Sequence, residues 1–156
     1  MIPILYKIDN VLYCPDVIFD NHDKKVTEPR VAEKIMKHGL GSTRFEKNNG
    51  GEGYKDDVDR ILRNWNLKCN LSCDYATNQK SKEIKIFEHA PSIREIVFLD
   101  PEHRNEEYQK FMNCLCSFTI KGNNKNDDAP DALAGAIDMD NEVKQKVAIQ
   151  VFQRPF

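Results

Sequence analysis

Apolar and polar positions along the chain change period several times, and the changes mark out an alternating α/β order. Ile4-Leu5-Tyr6-Lys7-Ile8 and Val11-Leu12-Tyr13-Cys14 are rich in β-formers around Asp9-Asn10, a pair that tolerates left-handed backbone, so an N-terminal antiparallel hairpin is predicted. Asp16-Val17-Ile18-Phe19 continues the extended run past Pro15, which suits an edge or a bulge rather than a central strand. Thr27 then caps a helix carrying Val31, Ile35 and Met36 on one face and stopped by Gly39. A short strand follows and ends at Glu46. Val58, Ile61, Leu62 and Trp65 fall at i, i+3, i+4 and i+7, one helical face that places Trp65 in the core rather than on a base-stacking platform.

The second half repeats the alternation. Leu71 to Ala76 reads as a strand, Lys80 to His89 as a helix with Ile84 and Phe87 inward, and Ile96-Val97-Phe98-Leu99 as a short strand ended by Asp100-Pro101. Tyr108, Phe111, Met112 and Leu115 mark another helix at i, i+3, i+4 and i+7. The polar loop Gly122 to Asn126 leads to a last, small-residue helix on which Ala132, Leu133, Ala136 and Ile137 form a narrow face. The segment 139–156 reads as a tail or an added strand through Val147 to Phe152. With 156 residues and 40% hydrophobic content, a single domain with its own core is expected, its helices flanking one mixed sheet.

Charge and cysteine usage narrow the function classes. A net charge of −2 argues against a protein that coats nucleic acid by bulk charge, so any DNA contact is local. Lys80, Lys82 and Lys85 cluster, and Lys121 and Lys125 flank the acidic stretch described below; both groups also suit a solvated face. No apolar run approaches the roughly 18 residues of a membrane span, and Met1 to Leu5 is too short for a signal peptide. A cytoplasmic protein is expected, with no membrane partner. Cys14, Cys69, Cys73, Cys114 and Cys116 are odd in number and lack zinc-knuckle spacing, which favours reduced, buried thiols. His22, His38, His89 and His103 lie in polar contexts and read as surface residues, and Asp16 reads as a solvated edge residue before a supporting acid. No nucleotide-binding P-loop is present.

The chemistry-bearing stretch is Asn126-Asp127-Asp128-Ala129-Pro130-Asp131-Ala132-Leu133-Ala134. Asp127 or Asp128 can cap the helix, and Pro130 fits its first turn, where no N–H is needed. Caps alone do not require three acids. Carboxylates about 4 Å apart repel by roughly 4 kcal/mol at an effective dielectric near 20, so the cluster must be solvated, partly protonated or bound to a cation. A second motif, Thr43 to Tyr54, reads as a strand ending in Glu46, then a glycine-rich turn that opens a helix. Glu46 would then sit at the carboxyl edge of a sheet, where ligands bind in open α/β architectures. A turn with an exposed acid is the plainer reading of the same residues.

These two motifs, about eighty residues apart, resemble the nuclease domain of the large terminase subunit of tailed bacteriophages. The resemblance rests on Val26-Thr27-Glu28-Pro29, Phe45-Glu46-Lys47-Asn48-Asn49-Gly50-Gly51, Ser81-Lys82-Glu83-Ile84-Lys85-Ile86 and Asp127-Asp128-Ala129-Pro130-Asp131-Ala132-Leu133. It implies a ribonuclease H-like fold and divalent-metal cleavage of concatemeric viral double-stranded DNA during packaging. The implied partners are a terminase ATPase domain, the small terminase subunit and the portal. The family's usual first strand, which bears a further aspartate, has no counterpart before Ile2. Oxygen ligands select Mg²⁺ or Mn²⁺, a pair of which about 4 Å apart stabilises both attacking and leaving oxygens of a phosphodiester. In that scheme Glu46 ligates or bridges metal, Asp128 is the C-terminal ligand, and Asp127 or Asp131 takes a second ligand role or caps the helix. Helical spacing pairs Asp128 with Asp131, whereas the resemblance points to the adjacent aspartates. Lys82, Asn48, Asn49 and Lys125 are the candidate DNA contacts. The rival expectation is a non-catalytic or incomplete nuclease fragment that serves as an interaction module.

Overall fold

A computed structural model describes residues 1–47, 50–74, 81–119, 124 and 126–152, with backbone alone described over 143–152. The protein is mixed α/β. Its residues divide into two compact units, Met1–Phe19 with Lys80–Phe156, and Asp20–Gln79. The described strands form two separate sheets rather than the single mixed sheet expected from sequence: one of three strands, the other of two.

In the first unit, β1 (Ile2–Ile8) and β2 (Val11–Ile18) make the predicted antiparallel hairpin. Asp9 and Asn10 turn it with φ of 48° and 66°, left-handed values that a short Asx pair accepts and a β-branched residue would not. The register shifts between Ile4 and Tyr6, so Cys14 and Pro15 face Leu5 alone. Pro15 thus sits in a bulge, where no ladder N–H is missed. β2 is nonetheless the central strand, because β5 (Val97–Phe98) pairs with its other side in parallel.

Three α-helices complete the described part of this unit: α3 (Lys82–Arg94), α4 (Glu106–Ser117) and α5 (Asp128–Phe152). Its core gathers Cys14 and Val17 of β2, Ile93 and Ile96, Tyr108, Phe111 and Met112 of α4, and Ala129, Leu133 and Ile137 of α5. Full burial of a Leu or Phe side chain contributes about 1.5–3 kcal/mol, so the α4 and α5 stripes dominate this side of the balance. Tyr108 adds direction to the packing: its hydroxyl donates to the Cys14 carbonyl at 2.6 Å and accepts the Leu99 N–H at 3.1 Å. One side chain therefore ties α4 to β2 and to the end of β5. Val147 to Phe152, expected as a tail or strand, continues α5. No proline interrupts the chain after Pro130 within this helix, and its middle is rich in Ala, Met, Glu, Lys and Gln, which favour helix.

In the second unit, α1 (Lys24–His38) begins earlier than expected, since Asp23 and not Thr27 is the N-cap and accepts the Lys25 N–H at 2.8 Å. Gly39 ends it in left-handed geometry, as the sequence predicts. Val31, Ala32 and Ile35 are buried, whereas Met36 is exposed. β3 (Ser42–Glu46), α2 (Gly51–Asn64) and β4 (Asn70–Asp74) form a β-α-β unit with parallel strands. Phe45 and Tyr54 bring their rings to 5.7 Å, and Val58 and Leu62 are fully buried. Trp65, expected in the core, caps α2 and is 39% exposed. The helical pattern ends one residue before it, so it escapes the buried face.

Candidate functional site

Glu46 occupies the last position of β3, exposed at the carboxyl end of the strand as predicted. In the parallel register it lies opposite Asp74, the last residue of β4. Neighbouring positions in a parallel ladder share a face, so two acids end this sheet side by side. Arg44, two residues earlier on the same face, reaches Asp74 at 3.1 Å. Asp74 is not singled out by the sequence, where it falls inside the run Leu71 to Ala76 read as a strand.

The glycine turn that follows Glu46 has a steric cause. Gly50 adopts φ +85°, and a Cβ added to Gly51 would lie 1.7 Å from the Glu46 carbonyl oxygen and 2.8 Å from its carbon. The start of α2 is therefore seated directly on the backbone of Glu46, an approach open only to glycine. No side chain caps α2. Thr27 and Glu28, from another stretch of the resemblance, are buried within α1. Burial first, and the nearby Asp57 second, hold the Glu28 carboxyl above the usual carboxylate range. Tyr54 hydrogen-bonds to Thr27, which ties α2 to α1.

In the other unit, the acidic stretch opens α5 as predicted. The Asp127 carbonyl accepts the Asp131 N–H at 3.1 Å, the first helical bond. Asp128 lies in the first turn and is exposed, while the Asp131 side chain is only 12% exposed. The buried face of α5 among the described residues is Ala129, Pro130, Leu133, Ala134 and Ile137, which keeps Leu133 and Ile137 of the expected face and leaves Ala132 and Ala136 half-buried. The three acids do not share one partner set. Lys82 of α3 reaches Asp131 at 3.3 Å and Asp127 at 3.7 Å, and Lys85 reaches Asp131 at 3.5 Å. Partial burial alone would lower the Lys82 pKa, but Asp131, Asp127 and Asp128 outweigh it and raise it. One α3 turn beyond Lys85, His89 pairs with Asp138 at 2.8 Å and is mostly buried, which corrects its reading as a surface residue. Asp16 is likewise buried and accepts the Val17 N–H at 2.9 Å, so it is no solvated edge residue.

Asn48, Asn49 and Lys125 lie outside the described residues, as do Lys80 and Lys121. Lys82, the remaining expected DNA contact, is described, and in this structure its ammonium is engaged with α5. The cysteines are all free thiols; Cys14 and Cys114 are buried and Cys116 is exposed. Among the described residues, no group of three or more His, Cys, Asp or Glu side chains has the placement of a metal site, and no helix is long and apolar enough to cross a membrane. No family model matches this chain, and no curated protein sequence matches it.

Proposed function

We propose that this chain is a divalent-metal-dependent DNA endonuclease domain of the terminase large-subunit kind, ribonuclease H-like in fold. Glu46 and members of the Asp127/Asp128/Asp131 group are its metal ligands. The observation that carries this reading is that both acid motifs fall at element ends shaped for exposure. Glu46 ends β3 beneath a helix start that only glycine can make, and Asp127 and Asp128 flank the first bond of α5. The donor set is all carboxylate oxygen, which fits Mg²⁺ or Mn²⁺ and not zinc. Bound there, such an ion stabilises negative charge developing on a phosphodiester. The chain's own residues supply the rest: Asp128, exposed, is free to face a ligand, and Lys82 offers an ammonium to a phosphate oxygen. Double-stranded DNA is the substrate in this reading, and a terminase ATPase, the small subunit and the portal are partners. The work takes place in the cytoplasm of a bacterial host.

A second reading has one observation in its favour. Asp131 is already neutralised by Lys82 and Lys85, as in a domain that keeps its acids for structure and acts as an interaction module. Nicking of supercoiled plasmid in Mn²⁺ and in Mg²⁺ tests the nuclease reading. Activity should fall at least tenfold in Glu46→Ala and in Asp128→Asn. Activity equal to the parent in Glu46→Ala removes that residue from the reaction, and no activity in any form favours the interaction module.

A further inference from the structure

Helix α3 is apolar on two sides. Ile86 and Ile93 are buried in its own unit, whereas Ile84, Phe87 and Pro91, at i, i+3 and i+7, form a second stripe that is exposed. A surface helix needs one apolar face, so a second marks a place where something docks. The charges of α3 are sorted along with it. Lys82, Lys85 and His89 turn to α5, where Asp131 and Asp138 hold them. That leaves Glu83, Glu88 and Glu95 exposed around the outer stripe, with Arg94 the one cation among the described residues there. Glu95 is also the C-cap, at the negative end of the α3 dipole, where a cation is the favoured neighbour. The complementary occupant is a helix with an apolar stripe and basic flanks.

The chain itself contains such a helix. Over 143–152 α5 continues as helix, and the sequence there sets Val143, Val147 and Val151 at i, i+4 and i+8, with Lys144 and Lys146 on the two flanks and no acid. This stretch does not cover the outer stripe of its own α3, which lies on the side of that helix away from α5. From Lys82 to Asp131 and from His89 to Asp138 the chain advances the same 49 positions. The two helices therefore run in step, Arg94 at the end of α3 comes level with position 143, and the last 14 Å or so of α5 continues past it. We propose that 143–152 of one copy docks on the Ile84/Phe87/Pro91 face of a second copy, which returns the contact. The result is a two-fold dimer held by two identical α5-on-α3 contacts. In it the valine stripe meets Ile84 and Phe87, and Lys144 and Lys146 meet the glutamates. Contacts this short give a weak dimer.

The test is sedimentation equilibrium of the full chain from about 1 μM to 1 mM, across which the parent should pass from monomer to dimer. Three variants are compared with it: Phe87→Ser, Glu83→Lys with Glu95→Lys, and Lys144→Glu with Lys146→Glu. Each should dimerise about tenfold or more weakly, the first by loss of the aromatic anchor and the others by placing like charges together. Mixing the two charge-reversed variants should restore the dimer, because each then offers the other an opposite charge at both contacts. Circular dichroism of each form checks folding. A parent that stays monomeric throughout overturns the proposal, and so does a dimer that persists in Phe87→Ser. Loss in Phe87→Ser with no loss in Lys144→Glu/Lys146→Glu assigns the α3 face to a different occupant and overturns the pairing. A mixture of folded charge-reversed variants that remains monomeric overturns it as well.

Discussion

Gly51 and Gly53 lie one residue apart in the first turn of α2, and alanine should affect them with opposite sign. At Gly51 the new methyl would strike the Glu46 backbone, which cannot yield as a side-chain tip can. Gly51→Ala should destabilise by about 3 kcal/mol or more. At Gly53 nothing lies within 4 Å of a built Cβ, so Gly53→Ala gains helix propensity, up to about 1 kcal/mol. Urea unfolding of the two variants checks both signs. The glycine run was legible in sequence, but which glycine bears the steric load was not, because that depends on a contact between backbone segments. The cysteines give a second residue-scale test. Burial pushes the Cys14 thiol up to about 11 from its ordinary 9.0, so at pH 8 iodoacetamide should label Cys116 quickly and Cys14 only as the protein unfolds. The unfolded thiol ionises first. The Cys14 contribution to stability is therefore complete below pH 9 and is lost as pH climbs toward 11.

Among the elements, periodicity located α4 well, since Tyr108, Phe111 and Met112 are all buried. It failed on α3. Ile84 and Phe87, expected inward, are 50% and 56% exposed, whereas Ile86 and Ile93 are buried. The helix is rotated because its contact with α5 is polar as well as apolar: Lys82, Lys85 and His89 all face α5, and no hydrophobic pattern reports that. Ile86→Ala should therefore cost about 2–4 kcal/mol and Phe87→Ala under about 0.5, measured by thermal unfolding. The same pairs show that α3 and α5 run parallel, since Lys82 meets the start of α5 and His89 meets Asp138 further along. Both helices then point the positive ends of their dipoles the same way, and the α5 acids offset both. Exchanging the charges, Lys82→Asp with Asp131→Lys, should not restore parental stability, because it sets a lysine at the α5 start. A shortfall of about 0.5–1 kcal/mol is expected against the parent, although the swapped pair should be more stable than the two single changes added together, as a double-mutant cycle reads. The acidic motif was visible in sequence and its counter-ions were not, for they come from a helix nearly fifty residues earlier.

At the scale of the whole molecule, α/β alternation was correctly read, while the expectation of one sheet did not survive: the described strands form two. Alternation fixes the order of elements, and neither length nor composition says which strands pair. The consequence lies in the order of events during synthesis. Residues 20–79 are one unbroken stretch, whereas the other unit needs its first nineteen residues and everything from 80 onward. As the chain leaves the ribosome, the β1–β2 hairpin emerges before the inserted stretch, and the second edge of β2 waits for its parallel neighbour Val97–Phe98, which arrives some eighty residues later. A lone hairpin is marginal in water, so it must wait. The inserted stretch meets no such delay, its partners being close in sequence, and should fold before the segment that precedes it. Pulse hydrogen exchange during refolding should accordingly protect Val58 and Leu62 amides before those of Cys14 and Val17. Simultaneous protection would mean that β2 and β5 find each other before the insert is complete.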